Sequence, residues 1–145
     1  IFNSICHLSK NELSFASISW KKSLNKNGLL IFDIFNKNRL LKDICSYEFI
    51  QRAIEKNNRK IIAFNRVKYN KKDKILKSNL KIYMQMHLEK PILKRILIEQ
   101  RIYSVKEVTK ILEKEGFIIQ EIIEPKGDKF NKEKSLFALF IVKPS

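Results

Sequence analysis

His7 and Asp33 are the side chains of this 145-residue sequence whose type and setting could carry proton chemistry. His7 stands in "ICHLSK", just before a helix-start signal. An imidazole titrates near neutral pH, so it can act as a general base or contact a substrate. The plainer reading is a polar loop residue. Asp33 closes the apolar run of "NGLLIFDIFN", residues 27–36. It could orient a substrate or bind an amine; otherwise it ends a strand and accepts from the N–H groups of the next loop. Cys6 sits beside His7 in an apolar stretch with no other basic neighbour, which gives a thiolate little support. Met84 and Met86 read as packing residues, and His87 as a surface strand residue.

Several elements must position these groups. "SKNELSFASISWKKSLNKNG" opens with Ser9 and Glu12 at capping-box spacing, and Leu13, Ala16, Trp20 and Leu24 follow on one face. This predicts a helix over about 10–25, stopped by Gly28. "GLLIFDIF" is continuously apolar and reads as a strand covered on both faces. The segment 37–55 is ambiguous: "NRLLKDI" suits a short helix, and "YEFIQRAI" a strand or a helix. Strict alternation between Ile75 and Glu89 predicts a half-buried antiparallel strand. With "KIIAFNRVKYN" before it and "ILKRILIEQRIY" after it, a three-strand meander is expected, apolar on one face and basic on the other. Ser104 and Glu107 form a second capping box, with Gly116 placed to end that helix in the left-handed region. "FIIQEIIE" and "SLFALFIVK" then read as two strands joined by "PKGDKFNKEK".

Composition narrows the class. Hydrophobic residues make up 44% and aromatics 10%, which excludes a disordered chain. No apolar run approaches the roughly 20 residues of a membrane span, and no secretory signal opens the sequence; the cytoplasm is the expected location. The formal net charge of +15 suggests nucleic acid as a partner. The lysines are dispersed, however, and only six of the 30 basic residues are arginine. Abundant Lys, Ile and Asn also point to an A- and T-rich gene, so a solvated lysine surface is the plainer account. The two cysteines, Cys6 and Cys45, have no metal-ligand spacing, and no metal is expected. The chain opens on Ile1 inside an apolar segment, which suggests a fragment.

The order of elements, with three motifs, resembles the C-terminal part of class I S-adenosylmethionine-dependent methyltransferases. "IFNSICHLSKNEL" looks like the end of their fourth strand and the loop after it. "SLNKNGLLIFDIFN" looks like a helix running through an "L-x-P-G-G" turn into their fifth strand, with Asn25, Lys26 and Asn27 replacing the proline and first glycine. "EQRIYSVKEVTKILEKEGFIIQEI" looks like their "R-x-Y-S-x-E-E-L … L-x-x-A-G-F" helix and sixth strand, with Glu115 where alanine is usual.

The resemblance implies an α/β fold: the C-terminal portion of a Rossmann-like sheet, order 4-5-7-6 with the last strand antiparallel, and an inserted antiparallel β meander. It implies one partial methyltransferase domain over 1–145. Residues 1–36 hold the fourth-strand end, a helix and the fifth strand; 37–103 form the inserted lid; 104–145 form a helix and terminal hairpin. The implied cofactor is S-adenosyl-L-methionine, beside Phe2, Asn3 and Ser4, and the acceptor is a small molecule near His7, Asp33, Asn36, Arg101 and Tyr103. His7 and Asp33 are the catalytic candidates. For Arg101, an ion pair with Glu99 or Glu107 is the structural alternative. The family's Gly-rich loop and ribose-binding acid would precede Ile1, about 90 residues of three βα units. The chain alone is therefore expected to be inactive and to need the N-terminal half of its domain. The rival readings are an RNA-binding module or RNA methyltransferase, and a non-catalytic or split half that needs a partner chain.

Overall fold

The computed structural model describes residues 4–43 and 47–145. Phe2, Asn3 and Cys45 lie outside them. The chain divides into two compact units, one of Ile1–Asp43 with Arg101–Ser145, the other of Ile44–Gln100.

In the first unit a 3-10 turn, Ser4–His7, leads into α1 (Lys10–Ser23). Ser9 caps α1: its hydroxyl accepts from Glu12 N at 3.3 Å, while its own N–H donates to the Glu12 carboxylate at 2.7 Å. Hydrogen bonding with the Ser9 side chain, and then with its backbone, holds the Glu12 carboxyl below its ordinary pKa. Leu13 and Ser17 face the core, and the Ser17 hydroxyl donates back to Leu13 O. The helix ends at Leu24 in extended backbone, before the turn that contains Gly28. Then follow β1 (Leu30–Phe35) and the short helix α2 (Lys37–Asp43).

The second unit is a four-stranded antiparallel sheet of β2 (Tyr47–Lys56), β3 (Arg59–Asn70), β4 (Ile75–Met86) and β5 (Ile92–Arg101), with its last residue counted in the first unit. The ambiguous stretch thus supplies a helix and then a fourth strand. Asn57 and Asn58, both at positive φ, make the tight β2–β3 turn, a conformation asparagine tolerates well. His87 lies past the end of β4 in a turn at φ 52°, with its N–H on Asn58 O, rather than on a strand surface. Alternation holds along β4: Leu76 and Ser78 are buried while Lys77, Asn79 and Lys81 are exposed.

The chain returns to the first unit through α3 (Val105–Lys114), β6 (Phe117–Ile123) and β7 (Phe137–Pro144). Ser104 and Glu107 make the second capping box, and Gly116 at φ 81° takes the left-handed position. The sheet order is β1-β7-β6, with β7 antiparallel to both neighbours, so β1 and β6 run parallel. Phe32, Ile34, Phe140 and Val142 bury one face with Leu13, Val108 and Leu112 of the helices. Phe32 stacks on Phe140 at 5.1 Å. A β-bulge between Ile119 and Glu121 is what lets Phe117, Ile119 and Ile122 all turn to this face, since strict period two would send Ile122 away.

The opposite face corrects the expectation that β1 is covered on both sides. Leu29 is 52% exposed, Ile31 50% and Ile118 44%. Phe35 stacks on Phe137 there, both half-buried. Helices α1 and α3 pack on the other face.

Candidate functional site

The carboxyl ends of β1 and β6 point the same way, and the β6–β7 loop folds back over them. A cleft of about 730 Å³ lies there, with Asp33 on its floor and Glu124, Asp128, Lys126 and Lys134 around it. Asp33 is 7% exposed and pairs in register with Leu139, on the face that also carries Ile31 and Phe35. Phe137 and Leu136 add apolar wall, and Leu136 is 57% exposed.

The loop is held by a connected set of hydrogen bonds. Gly127 N donates to Glu124 O at 2.9 Å and Glu124 N to Asp128 O at 2.8 Å. Gly127 sits at φ 94°, a conformation that side chains resist. The Ser135 hydroxyl donates to the Glu124 carboxylate and accepts from Asn131 N. Asn36 ties this loop to β1. Its side-chain amide donates to Lys132 O at 2.9 Å and Ser135 O at 2.7 Å, while its oxygen accepts from Asn38 N. At 3% exposed, Asn36 is committed to shaping the cleft from behind.

The other residues expected to act fall in separate places. Ser4 and His7 are exposed on the 3-10 turn, which borders β1. Between them Cys6 is buried, its thiol pushed up to about 11 by burial despite a hydrogen bond with the Phe35 backbone. Tyr103 is buried beneath this segment, and its hydroxyl donates to Leu8 O at 2.7 Å. Burial raises the phenol to about 12. That hydroxyl is spent on pinning the turn that carries His7. Arg101 is half-buried next to Tyr103 in sequence. Arg101 has a partner of its own; Glu99 pairs with Lys77, and Glu107 caps α3 and meets Lys10 at 3.5 Å.

The structure thus puts Asp33 in the cleft and Asn36 behind its wall, places Ser4 and His7 on the neighbouring turn, and leaves Phe2 and Asn3 outside the described residues. Sequence reasoning missed Glu124, Asp128 and Ser135. The only signal was the Pro-x-Gly-Asp start of the polar loop "PKGDKFNKEK", which marks a turn without saying what it or the flanking Glu124 and Ser135 face.

No protein-family model matches the chain, and no curated protein matches it in sequence. Solved structures do match in fold. A S-adenosylmethionine-dependent methyltransferase from Clostridium acetobutylicum ATCC 824 aligns with a TM-score of 0.82 at 14% identity, over 99% of this chain and 55% of its own. CalS10, an amino pentose methyltransferase from Micromonospora echinaspora solved with S-adenosylmethionine bound, gives 0.74 at 11% identity, over 100% and 56%. The sugar N-methyltransferase KedS8 from Streptoalloteichus sp. ATCC 53650 gives 0.74 at 10%, over 100% and 54%. The chain therefore has the α/β fold of S-adenosylmethionine-dependent methyltransferases, and it spans about half the length of the structures it matches.

Proposed function

We propose that this chain is the carboxyl-terminal part of a S-adenosylmethionine-dependent methyltransferase acting on a small-molecule acceptor, and that the missing amino-terminal half of the same domain completes it. The observation that carries this reading is the fold match over 99% of the chain and only 55% of its counterpart. The bare apolar face of Leu29, Ile31 and Ile118 supports it, because a patch of that kind normally has a covering layer. The amino pentose and sugar N-methyltransferase activities of CalS10 and KedS8 support a small acceptor over RNA.

The residues present fit only one flank of the cofactor. The chain has three glycines, 28, 116 and 127, none spaced to cradle a ligand. Ser4, with Phe2 and Asn3, would line that flank. When bound, S-adenosylmethionine supplies a methyl group on a sulfonium, open to in-line attack. Each residue of this chain has a part around that chemistry. His7 takes the proton from the acceptor's nucleophilic atom. Asp33, at the cleft, anchors an acceptor amine. Asn36 fixes the loop that bounds the cleft, Tyr103 fixes the turn that carries His7, and Arg101 contacts the acceptor.

The test is transfer of labelled methyl from S-adenosylmethionine to amino sugars by the chain extended with the residues encoded upstream. His7→Ala should lower kcat by 100-fold or more, the usual scale of general-base loss. Asp33→Asn should chiefly raise KM. Methyl transfer to RNA but to no amine-bearing small molecule would overturn the acceptor assignment, and unchanged kcat in His7→Ala would remove His7 from the chemistry.

A further inference from the structure

A second cleft lies on the far side of Asn36, between the start of α2 and the first turn of α3. It encloses about 470 Å³, with Lys37, Lys106 and Lys132 around it and Phe130 and Val105 at its base. We propose that this cleft binds a phosphate-bearing small molecule whose apolar or ring portion rests on Phe130.

Three observations support this. The cleft's lining contains three ammonium groups and no carboxylate, whereas the Asp33 cleft mixes both signs. The two carboxylates nearest along the chain are already bonded. Glu107 accepts from the Ser104 N–H and hydroxyl and meets Lys10 at 3.5 Å. Glu133 pairs with Lys42 and accepts from the Asn38 amide, which together hold its carboxyl below the ordinary range; both carboxylates thus sit at the rim with partners of their own. Phe130 is half-buried against the core cluster, so its ring is fixed in place as a platform. Thr109 supplies a neutral hydroxyl at the rim. Because the lysine heads are largely exposed, the charge term should weaken steeply with salt, while the Phe130 contact should not.

The loop that places Lys132 and Phe130 is the loop Asn36 ties to β1, so occupation of this cleft would steady one wall of the Asp33 cleft. The inference does not depend on methyl transfer: it concerns binding, and its test needs no cofactor.

Phenyl phosphate, inorganic phosphate and phenol are the probes, titrated into the 145-residue chain by calorimetry and 31P NMR. Phenyl phosphate should bind at least about tenfold tighter than either fragment. Lys106→Gln with Lys132→Gln should weaken it by at least about tenfold, the scale of losing a charge-assisted hydrogen bond. Lys22→Gln with Lys26→Gln removes the same charge from exposed sites elsewhere and should change affinity less than about twofold. Phe130→Leu should erase the preference for phenyl phosphate over phosphate while leaving phosphate affinity unchanged, which separates the site from loss of folding. Equal weakening by both lysine pairs would overturn the proposal in favour of diffuse charge. Equal affinity for phenyl phosphate and phosphate would overturn it in favour of a simple anion contact.

Discussion

Asn36 offers the sharpest single-residue test of how the cleft is built. Its amide donates two hydrogen bonds, at 2.9 and 2.7 Å, to the carbonyls of Lys132 and Ser135, and it is almost fully buried. Asn36→Ala removes both donors and strands two carbonyls. At a net worth of about 1 kcal/mol per bond, with some penalty for the unsatisfied oxygens, the cost is about 2–3 kcal/mol. Asn36→Asp keeps the size and the oxygen that accepts from Asn38 N, but turns a carboxylate toward two carbonyl oxygens. It should cost more than alanine at pH 7, about 3–5 kcal/mol. Protonation would restore one donor, so the introduced carboxyl has a raised pKa in the folded state. A raised folded pKa gives stability at low pH that is lost as pH rises, so the Asp variant should recover toward wild type as pH falls through that raised pKa, with the recovery complete by about pH 4. Urea denaturation followed by the fluorescence of Trp20, the only tryptophan, reads this unit directly, since Trp20 packs on its core cluster. A loss under 0.5 kcal/mol for Asn36→Ala, or an Asp variant as stable as wild type at pH 7, would refute the clamp.

The remaining predictions concern the turn, the cap and the bare face. Tyr103, raised to about 12, and Cys6, raised to about 11, are neutral in the fold well after their unfolded counterparts ionise. Stability they contribute is therefore complete below about pH 9 and falls as pH climbs through 9–12. Tyr103→Phe should cost about 1 kcal/mol at pH 7 through the lost bond to Leu8 O and should flatten the upper part of that alkaline decline, as pH-dependent denaturation would record. Ser104→Ala should cost about 1 kcal/mol by opening the second capping box, and Ser104→Asp should restore most of it, measured by thermal melting. Ile31→Lys with Ile118→Lys should change the unfolding free energy of the isolated chain by less than about 0.5 kcal/mol while raising its solubility, read by light scattering. In the extended protein the same pair should destabilise by several kcal/mol, because two unpaired charges would then be buried.

The local signals that proved legible in the sequence were those with a one-residue cause. Ser9–Glu12 and Ser104–Glu107 marked both helix starts, Gly116 marked a left-handed stop, and alternation in β4 marked a half-buried strand. The bulge in β6 was not legible, because an extra residue in an isoleucine-rich strand leaves no compositional trace. The coverage of β1 was misjudged for a related reason. A continuous apolar run reports that both faces avoid water in the finished protein, and does not say which chain supplies each cover. Asp33 and Asn36 stood out because they end an apolar strand, but what each side chain faces was not legible. Asn36 differs from a substrate-facing amide only through bonds to residues 96 and 99 positions away.

The central claim is that this chain holds part of a methyltransferase site and cannot cradle the cofactor by itself. Calorimetric titration of S-adenosylmethionine into the 145-residue chain, and into the chain extended with the residues encoded upstream of Ile1, tests it directly. The account predicts no binding tighter than about 1 mM for the chain alone and a Kd on the order of micromolar for the extended protein. Micromolar binding by the chain alone, or none by the extended protein, would contradict it.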